Sequence, residues 1–208
     1  CTKPFVAMAV MMLAEDGKLD LDAPVKKYLP RFELSDPKLT ENLTIRDLLS
    51  HAKGINSGGI VWLDAYTGQI TEDRYYELLK SANIEGKPDY TNVHYTLLGR
   101  VIESVSGKNW RDFLAARLFE PAGMKSATGY ASELYTGDAA LPSKSWEGNL
   151  VPTESRKTDR TMHAAGGMGT SIADLARWVR LNLNYGEIDG IRLVLEKSAQ
   201  AMQNMETK

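Results

Sequence analysis

Residues 1–14 read CTKPFVAMAVMMLA, and ten of them, Phe5 to Ala14, form an unbroken apolar run. Pro4 suits the first turn of a helix, because a backbone N–H at that point has no partner inside the helix. Since the run is apolar around its whole circumference, it predicts a helix that is buried on every side. Gly17 ends it. The run is shorter than the ~20 apolar residues that cross a bilayer, so we expect no membrane span.

Further helices are predicted on both sides of an irregular stretch. Thr44 and Asp47 resemble a capping box, Thr71 can cap a second helix, and Asn92 is placed to cap a third that ends at Gly107. Later helices are expected at Trp110–Phe119, after Ser171, and at Glu196–Met205. In the helix after Ser171, the apolar residues on one face are Leu175, Ala176, Val179 and Leu183. From about 126 to 165 the periodicity fades, and short strands could lie there.

Composition excludes several classes of function. The chain of 208 residues is 43% hydrophobic and 25% charged, as in an ordinary globular protein. Its net charge of −2 gives no reason to expect nucleic acid or an anionic membrane as a partner. One cysteine excludes an internal disulfide and a cysteine-based zinc site, and the three histidines lack ligand spacing, so we expect no metal.

Several segments together resemble one enzyme superfamily. They are Lys3 before the apolar helix, LDLDAPVKKYLP at 19–30, Tyr90-Thr91-Asn92 before a helix, and Gly166-Gly167 before the Ser171 helix. This series resembles the serine β-lactamase and penicillin-binding-protein superfamily, in particular its branch of class C β-lactamases, esterases and D-aminopeptidases.

The resemblance implies three catalytic residues in this chain, Lys3, Tyr90 and Asn92. Lys3 matches the lysine of a Ser-x-x-Lys motif, whose nucleophilic serine would stand immediately before Cys1. Tyr90 would shuttle the nucleophile's proton to the leaving group, and Asn92 would bind the substrate's acyl-side amide and hold Lys3. We expect the Lys3 ammonium within hydrogen-bond reach of Asn92 or Tyr90.

Two complete Ser-x-x-Lys strings occur inside the chain, at Ser35–Lys38 and Ser50–Lys53. We interpret both as chance matches, because Pro37 disfavours a helix through the first. The second lies in a segment that resembles a structural part of the family. His51 there is expected to pack and to form hydrogen bonds rather than to act as a base.

The fold that the resemblance implies is α+β, of the serine β-lactamase and DD-peptidase type. Residues 1–208 would form a single β-lactamase-like domain, truncated at both ends, with the helical portion present and much of the antiparallel sheet outside the chain. The family's third motif, a Lys/His-Thr/Ser-Gly strand, has no match in residues 190–208.

The function implied is that of a serine hydrolase that forms an acyl-enzyme with an amide or ester: a β-lactam, a D-alanyl peptide or a small ester. No cofactor is required, the substrate is a small molecule or peptide, and the location is periplasmic or otherwise extracytoplasmic. The chain alone is expected to be inactive. The alternative is a non-catalytic fragment or paralogue that serves as a binding or scaffold module. Because missing strands would uncover the Phe5–Ala14 helix, we expect an exposed apolar face, covered by self-association or by a partner chain.

Overall fold

The computed structural model describes residues 1–56, 58–85, 87–153 and 156–204. Its α-helices are α1 (Lys3–Glu15), α2 (Val25–Tyr28), α3 (Pro37–Asn42), α4 (Ile45–Ser50), α5 (Gly58–Trp62), α6 (Glu72–Leu79), α7 (Asn92–Ser106), α8 (Trp110–Leu114), α9 (Ala131–Leu134), α10 (Ile172–Leu183) and α11 (Glu196–Gln203). Two π-helical segments, Leu63–Thr67 and Ala115–Phe119, continue α5 and α8. The strands are β1 (Gly54–Asn56), β2 (Asn83–Glu85), β3 (Ser143–Trp146), β4 (Asn149–Pro152), β5 (Glu187–Ile188) and β6 (Ile191–Arg192).

Helix α1 lies at the centre of the core, as its apolar run predicts. Every apolar side chain from Phe5 to Leu13 except that of Ala7 is buried, and α1 contacts α7, α8 and α11. Phe5 stacks on Trp178 of α10, with ring centroids 4.0 Å apart. The expectation that missing strands would leave α1 uncovered is therefore wrong, because helices of the chain itself enclose it.

The predicted helix starts and ends are largely confirmed, with one correction, while the predicted end of the last helix at Met205 lies outside the described residues. Thr44 and Asp47 form a reciprocal capping box at α4, and Thr71 caps α6. Helix α7 is capped by the hydroxyl of Thr91, which accepts from Val93 N–H, and not by Asn92 as predicted. Asn92 is instead the first helical residue, which leaves its side chain free to turn toward Lys3.

In the part of the chain that the structure describes, the strands form three short antiparallel pairs, so the fold is α+β with a dominant helical part, as expected. Strand β1 pairs with β2, with Gly54 opposite Glu85. The irregular stretch from 126 to 165 contains α9 and the exposed hairpin β3–β4. The third pair, β5–β6, turns tightly at Asp189 and Gly190, both at positive φ.

Helix α10 presents to solvent most of the apolar face that its pattern predicted, namely Ala176, Val179 and Leu183, whereas Leu175 packs against the core. Its buried positions are Asp174 and Leu181, and Trp178 packs against Phe5 between them. Because these contacts orient the helix, the opposite side is left uncovered. Ile172 is 82% exposed and Leu183 is 72% exposed. We call this exposed side the α10 stripe, formed by Ile172, Ala176, Val179 and Leu183.

Within the described residues, no helix is long and apolar enough to cross a membrane. The same part of the chain holds no group of three or more His, Cys, Asp or Glu side chains that could bind a metal ion.

Candidate active site

The ammonium group of Lys3 joins two distant parts of the chain. Lys3 is the first residue of α1, where the helix rises into the core, and its side chain is half-buried. Its Nζ donates to Asn92 Oδ1 and to the Ala165 carbonyl oxygen, at 2.7 Å in each case. Since an ammonium has three N–H donors, one direction remains for another oxygen.

Tyr90 and Asn92 lie beside Lys3, as the resemblance implied. The Tyr90 hydroxyl is 3.5 Å from Asn92 Oδ1, and Lys3 Nζ lies 4.7 Å from the centroid of the Tyr90 ring. The Tyr90 side chain is largely exposed, at 65%, so a ligand can reach it. The structure thus brings together all three residues predicted to be catalytic, while their catalytic roles stay predictions.

His51 packs against the ring of Tyr90, and His94 packs against His51. His51 ends α4 in the left-handed conformation, at φ 54°, and its ring lies 4.8 Å from the Tyr90 ring. His51 Nδ1 is 2.7 Å from Nδ1 of the fully buried His94. One of the two imidazoles donates in this contact and the other accepts, and Thr91 N–H also points at His51 Nδ1, at 3.5 Å.

The surroundings of both histidines favour the neutral ring. Burial lowers the pKa of His94 to about 3, and the nearness of His51 adds to the effect. Burial also lowers the pKa of His51, followed by repulsion from Lys3. The expectation that His51 packs and forms hydrogen bonds is confirmed in its geometry. Its partner His94 was not predicted, although a polar residue among the buried positions of α7 signals the need for one.

The Ala165 carbonyl reaches Lys3 because an arginine fixes the segment before it. Arg111 of α8 donates to the Asp159 carbonyl at 2.7 Å and also to the Met162 carbonyl. It donates through Nε to Gly129 at 2.8 Å. Ala165 was not predicted, because a backbone carbonyl carries no side-chain signal in the sequence.

A cavity of about 110 Å³ adjoins this site, and Asn92 and Ala165 line it together with Asp64, Lys157 and His163. We call it the Asp64 pocket. The His163 Nε2 is 3.0 Å from the Asp64 backbone carbonyl and 3.5 Å from its carboxylate. Burial raises the pKa of Asp64, chiefly by desolvation. The pocket was not predicted, although an acidic residue after the apolar run Ile60–Leu63 is a signal for it.

Neither internal Ser-x-x-Lys string forms a site. Ser35 binds the carbonyl of Ala82 at 2.9 Å and the Asn83 side chain at 2.5 Å. The Ser50 hydroxyl donates to the Arg46 carbonyl at 2.9 Å within α4, and Lys53 is paired with Asp47 at 3.0 Å. The serine and the lysine of the second string therefore have separate partners.

The fold is α+β, and a lysine at the start of a buried helix faces a Tyr-x-Asn segment. This arrangement is typical of the serine β-lactamase and penicillin-binding-protein superfamily. The sequence model of the beta-lactamase family matches residues 1–207. The chain belongs to the beta-lactamase family.

Individual relatives agree with this assignment. Penicillin-binding protein 4 of Amycolatopsis lactamdurans is 31% identical over 209 residues, which cover 97% of this chain and 54% of the relative. The structure of the octameric penicillin-binding protein homologue from Pyrococcus abyssi is similar, with a TM-score of 0.73 and 28% identity over 98% of this chain and 47% of that one. The penicillin-binding protein from Bacillus halodurans shares the fold, with a TM-score of 0.77, 23% identity, and coverage of 99% of this chain and 62% of that one. The chain thus spans about half the length of the first relative.

Proposed function

We propose that this chain is part of a serine hydrolase that cleaves an amide or ester through an acyl-enzyme. The observation that carries the proposal is the position of Lys3 Nζ, 2.7 Å from both Asn92 Oδ1 and the Ala165 carbonyl. These two acceptors fix the amine at the first turn of α1. A serine three residues before Lys3 would share its helical face, since residues three apart are neighbours on a helix.

The proposed chemistry has two halves. In acylation, the Lys3 amine takes the proton of the serine hydroxyl, the serine oxygen bonds to the substrate's carbonyl carbon, and the bond to the leaving amine or alcohol breaks. Tyr90 delivers the proton to that leaving group. In deacylation, water gives a proton to the same groups and attacks the ester carbon. The bond from that carbon to the serine oxygen then breaks, the carboxylic acid product leaves, and the proton passes to the serine oxygen.

Asn92 has a second task in this mechanism. Its Oδ1 is occupied by Lys3, whereas its Nδ2 group donates no hydrogen bond to any residue that the structure describes. The amide N–H groups can therefore donate to a carbonyl oxygen of the bound substrate. One side chain would thus position the base and the substrate together, which is how orientation lowers a barrier.

The test is covalent labelling of the full-length protein with a fluorescent penicillin and a fluorophosphonate, followed by mapping of the adduct by mass spectrometry. We expect one adduct, on a serine immediately before Cys1, and none on Ser35 or Ser50. Tyr90→Phe should slow acylation by roughly 10²- to 10⁴-fold. Tyr28→Phe is the matched control, because the Tyr28 hydroxyl bonds Asp20 N–H away from Lys3.

Two outcomes would contradict the proposal. An adduct on Ser50 would move the nucleophile to α4. A residue other than serine before Cys1, with no adduct anywhere, would favour the alternative of a non-catalytic binding or scaffold module.

We also propose that the α10 stripe is covered by self-association. The stripe is an exposed apolar row on a helix whose other side is fixed in the core. The Pyrococcus abyssi homologue, at 28% identity, is described as octameric, which supports assembly in this family.

A further inference from the structure

The Asp64 pocket lies next to the groups that would position a scissile bond. Asn92 and Ala165, the two residues that accept hydrogen bonds from Lys3, also line this pocket. A substrate whose carbonyl lies at Asn92 therefore extends one of its substituents into the pocket. Its apolar wall is formed by Ile60, Val61 and Val93.

The carboxylate of Asp64 is nearly buried there, and no residue that the structure describes donates a short hydrogen bond to it. Its side chain is 10% exposed. His163 Nε2 faces two acceptors, the carboxylate at 3.5 Å and the backbone carbonyl of Asp64 at 3.0 Å. The proton on Nε2 is directed to the nearer carbonyl, so the carboxylate receives only a long contact. A buried carboxylate in this state is costly unless a ligand supplies donors.

Lys157 does not meet this need. Its ammonium donates to the Ala65 carbonyl and lies 4.0 Å from the centroid of the exposed Tyr66 ring. Among the described residues, His163 is the one basic side chain within ion-pairing distance of the Asp64 carboxylate. Lys157 therefore contributes to the field of the pocket without neutralising Asp64 by contact.

We infer that the Asp64 pocket binds a protonated primary amine of the substrate, with the Asp64 carboxylate as its acceptor. As a statement about substrate, this inference rests on the proposed hydrolase function. The substrates it selects are amides or esters of a small amino acid with a free α-ammonium group, including the first residue of a short peptide.

The volume of the pocket limits the size of the substrate group that can bind beside the ammonium. Its volume of about 110 Å³ is smaller than the ~150 Å³ cavity that accepts a benzene ring. An ammonium and a methyl-sized side chain fit this space against the apolar wall. An N-acyl group would remove the positive charge and would add bulk, so N-acylated substrates are disfavoured on both grounds.

The test uses alaninol, which carries the ammonium and the methyl group but no cleavable bond, and N-acetylalaninol, which lacks the charge. Binding of both enantiomers to the full-length protein is measured by calorimetry or ligand-observed NMR. We expect alaninol to bind roughly 10- to 100-fold more tightly, as for a hydrogen bond between charged groups. Asp64→Asn should remove this preference, while Asp73→Asn, at an exposed residue paired with Arg31, should keep it.

The wild-type comparison needs no variant, so it stands even if Asp64→Asn folds poorly. Equal binding of the two ligands, or an unchanged preference in a folded Asp64→Asn protein, overturns the inference. Binding is independent of catalysis, so the two proposals can fail separately. A preference for alaninol without any acyl-enzyme would refute the hydrolase and keep the amine site. If an acyl-enzyme forms equally fast from alanine p-nitroanilide and from N-acetylalanine p-nitroanilide, the hydrolase is kept and the amine site is refuted.

Discussion

The substitution Gly99→Ala tests whether packing behind the site positions it. Gly99 lies in the middle of α7, and a Cβ added there would stand 2.6 Å from the Cβ of Ala164. Carbon atoms in contact prefer separations of ~3.5–4.0 Å, so roughly 1 Å of movement is required. Ala164 is 2% exposed and belongs to the segment whose carbonyls Arg111 holds, so it has little room to move.

The magnitude follows from two opposing effects. Overpacking a core costs about 1–3 kcal/mol, and the restrained position of Ala164 puts this site at the upper end. Replacing a helical glycine by alanine returns about 1 kcal/mol. We therefore expect Gly99→Ala to lower the free energy of unfolding by about 2 kcal/mol, or the Tm by ~4–8 °C.

The assay is urea unfolding followed by tryptophan fluorescence, since Trp110 lies 3.7 Å from the added Cβ position. Gly59→Ala in α5 is the matched control, because no atom lies within 4 Å of a Cβ there. It should leave stability unchanged or raise it by up to ~1 kcal/mol. Ala164→Gly added to Gly99→Ala removes the clashing atom and should recover most of the loss.

The same substitution should disturb Lys3, because Ala164 precedes the carbonyl that Lys3 binds. In the full-length protein we expect slower acylation by Gly99→Ala at temperatures where it remains folded, and recovery in the double variant. If Gly99→Ala is as stable as Gly59→Ala, or if Ala164→Gly brings no recovery, the reasoning from this contact is refuted.

Further predictions concern protonation and assembly. The pKa of His94 is lowered to about 3 in the folded state, so the unfolded chain binds its proton first, and this residue's contribution to stability is lost as pH falls from about 6.5 toward 3. The unfolding free energy of the wild type should therefore fall by up to ~1.4 kcal/mol per pH unit in that window relative to His94→Gln; parallel pH profiles for the two proteins would contradict this. Replacing Ile172 and Leu183 by Glu should lower self-association and dye binding in sedimentation and fluorescence measurements, whereas Glu at the exposed Thr136 should not. An unchanged sedimentation coefficient would remove the α10 stripe from the interface.

Sequence patterns were sufficient where structure is local. The apolar run Phe5–Ala14 predicted a buried helix because a side chain on any face of it must leave water. The capping residues Thr44 and Thr71 predicted helix starts because their hydroxyls satisfy N–H groups two or three residues away. The wrong prediction at α7 concerns two adjacent residues. Thr91 and Asn92 can both cap the helix, and the position of Lys3 decides which of the two side chains turns away from the helix end.

The patterns were insufficient where an element's orientation depends on a distant partner. The apolar positions of α10 identify one face, but Trp178 on another face finds Phe5 and commits the helix to that side. The hydrophobic pattern of a single helix identifies its buried face only when one side is apolar and the opposite side is polar. Helix α10 has a second apolar side, around Trp178 and Leu181, which packs on the core and leaves most of the predicted apolar face exposed.

The residues of the candidate site fall into the same two groups, those placed by local structure and those placed by distant contacts. Only the first group could be predicted from the sequence. Lys3 and Asn92 are the first residues of two helices and Tyr90 lies just before the second, so the motifs behind the resemblance were enough to identify them. Ala165 and Asp64 reach the site through loop and π-helical segments, whose course is fixed by hydrogen bonds such as those of Arg111 and His163 across the fold. The part set by local structure would supply the reaction common to the family, whereas the part set by long-range contacts lines the pocket. Differences in substrate choice among relatives should therefore arise from residues in the second group, with Asp64 first among them in this chain.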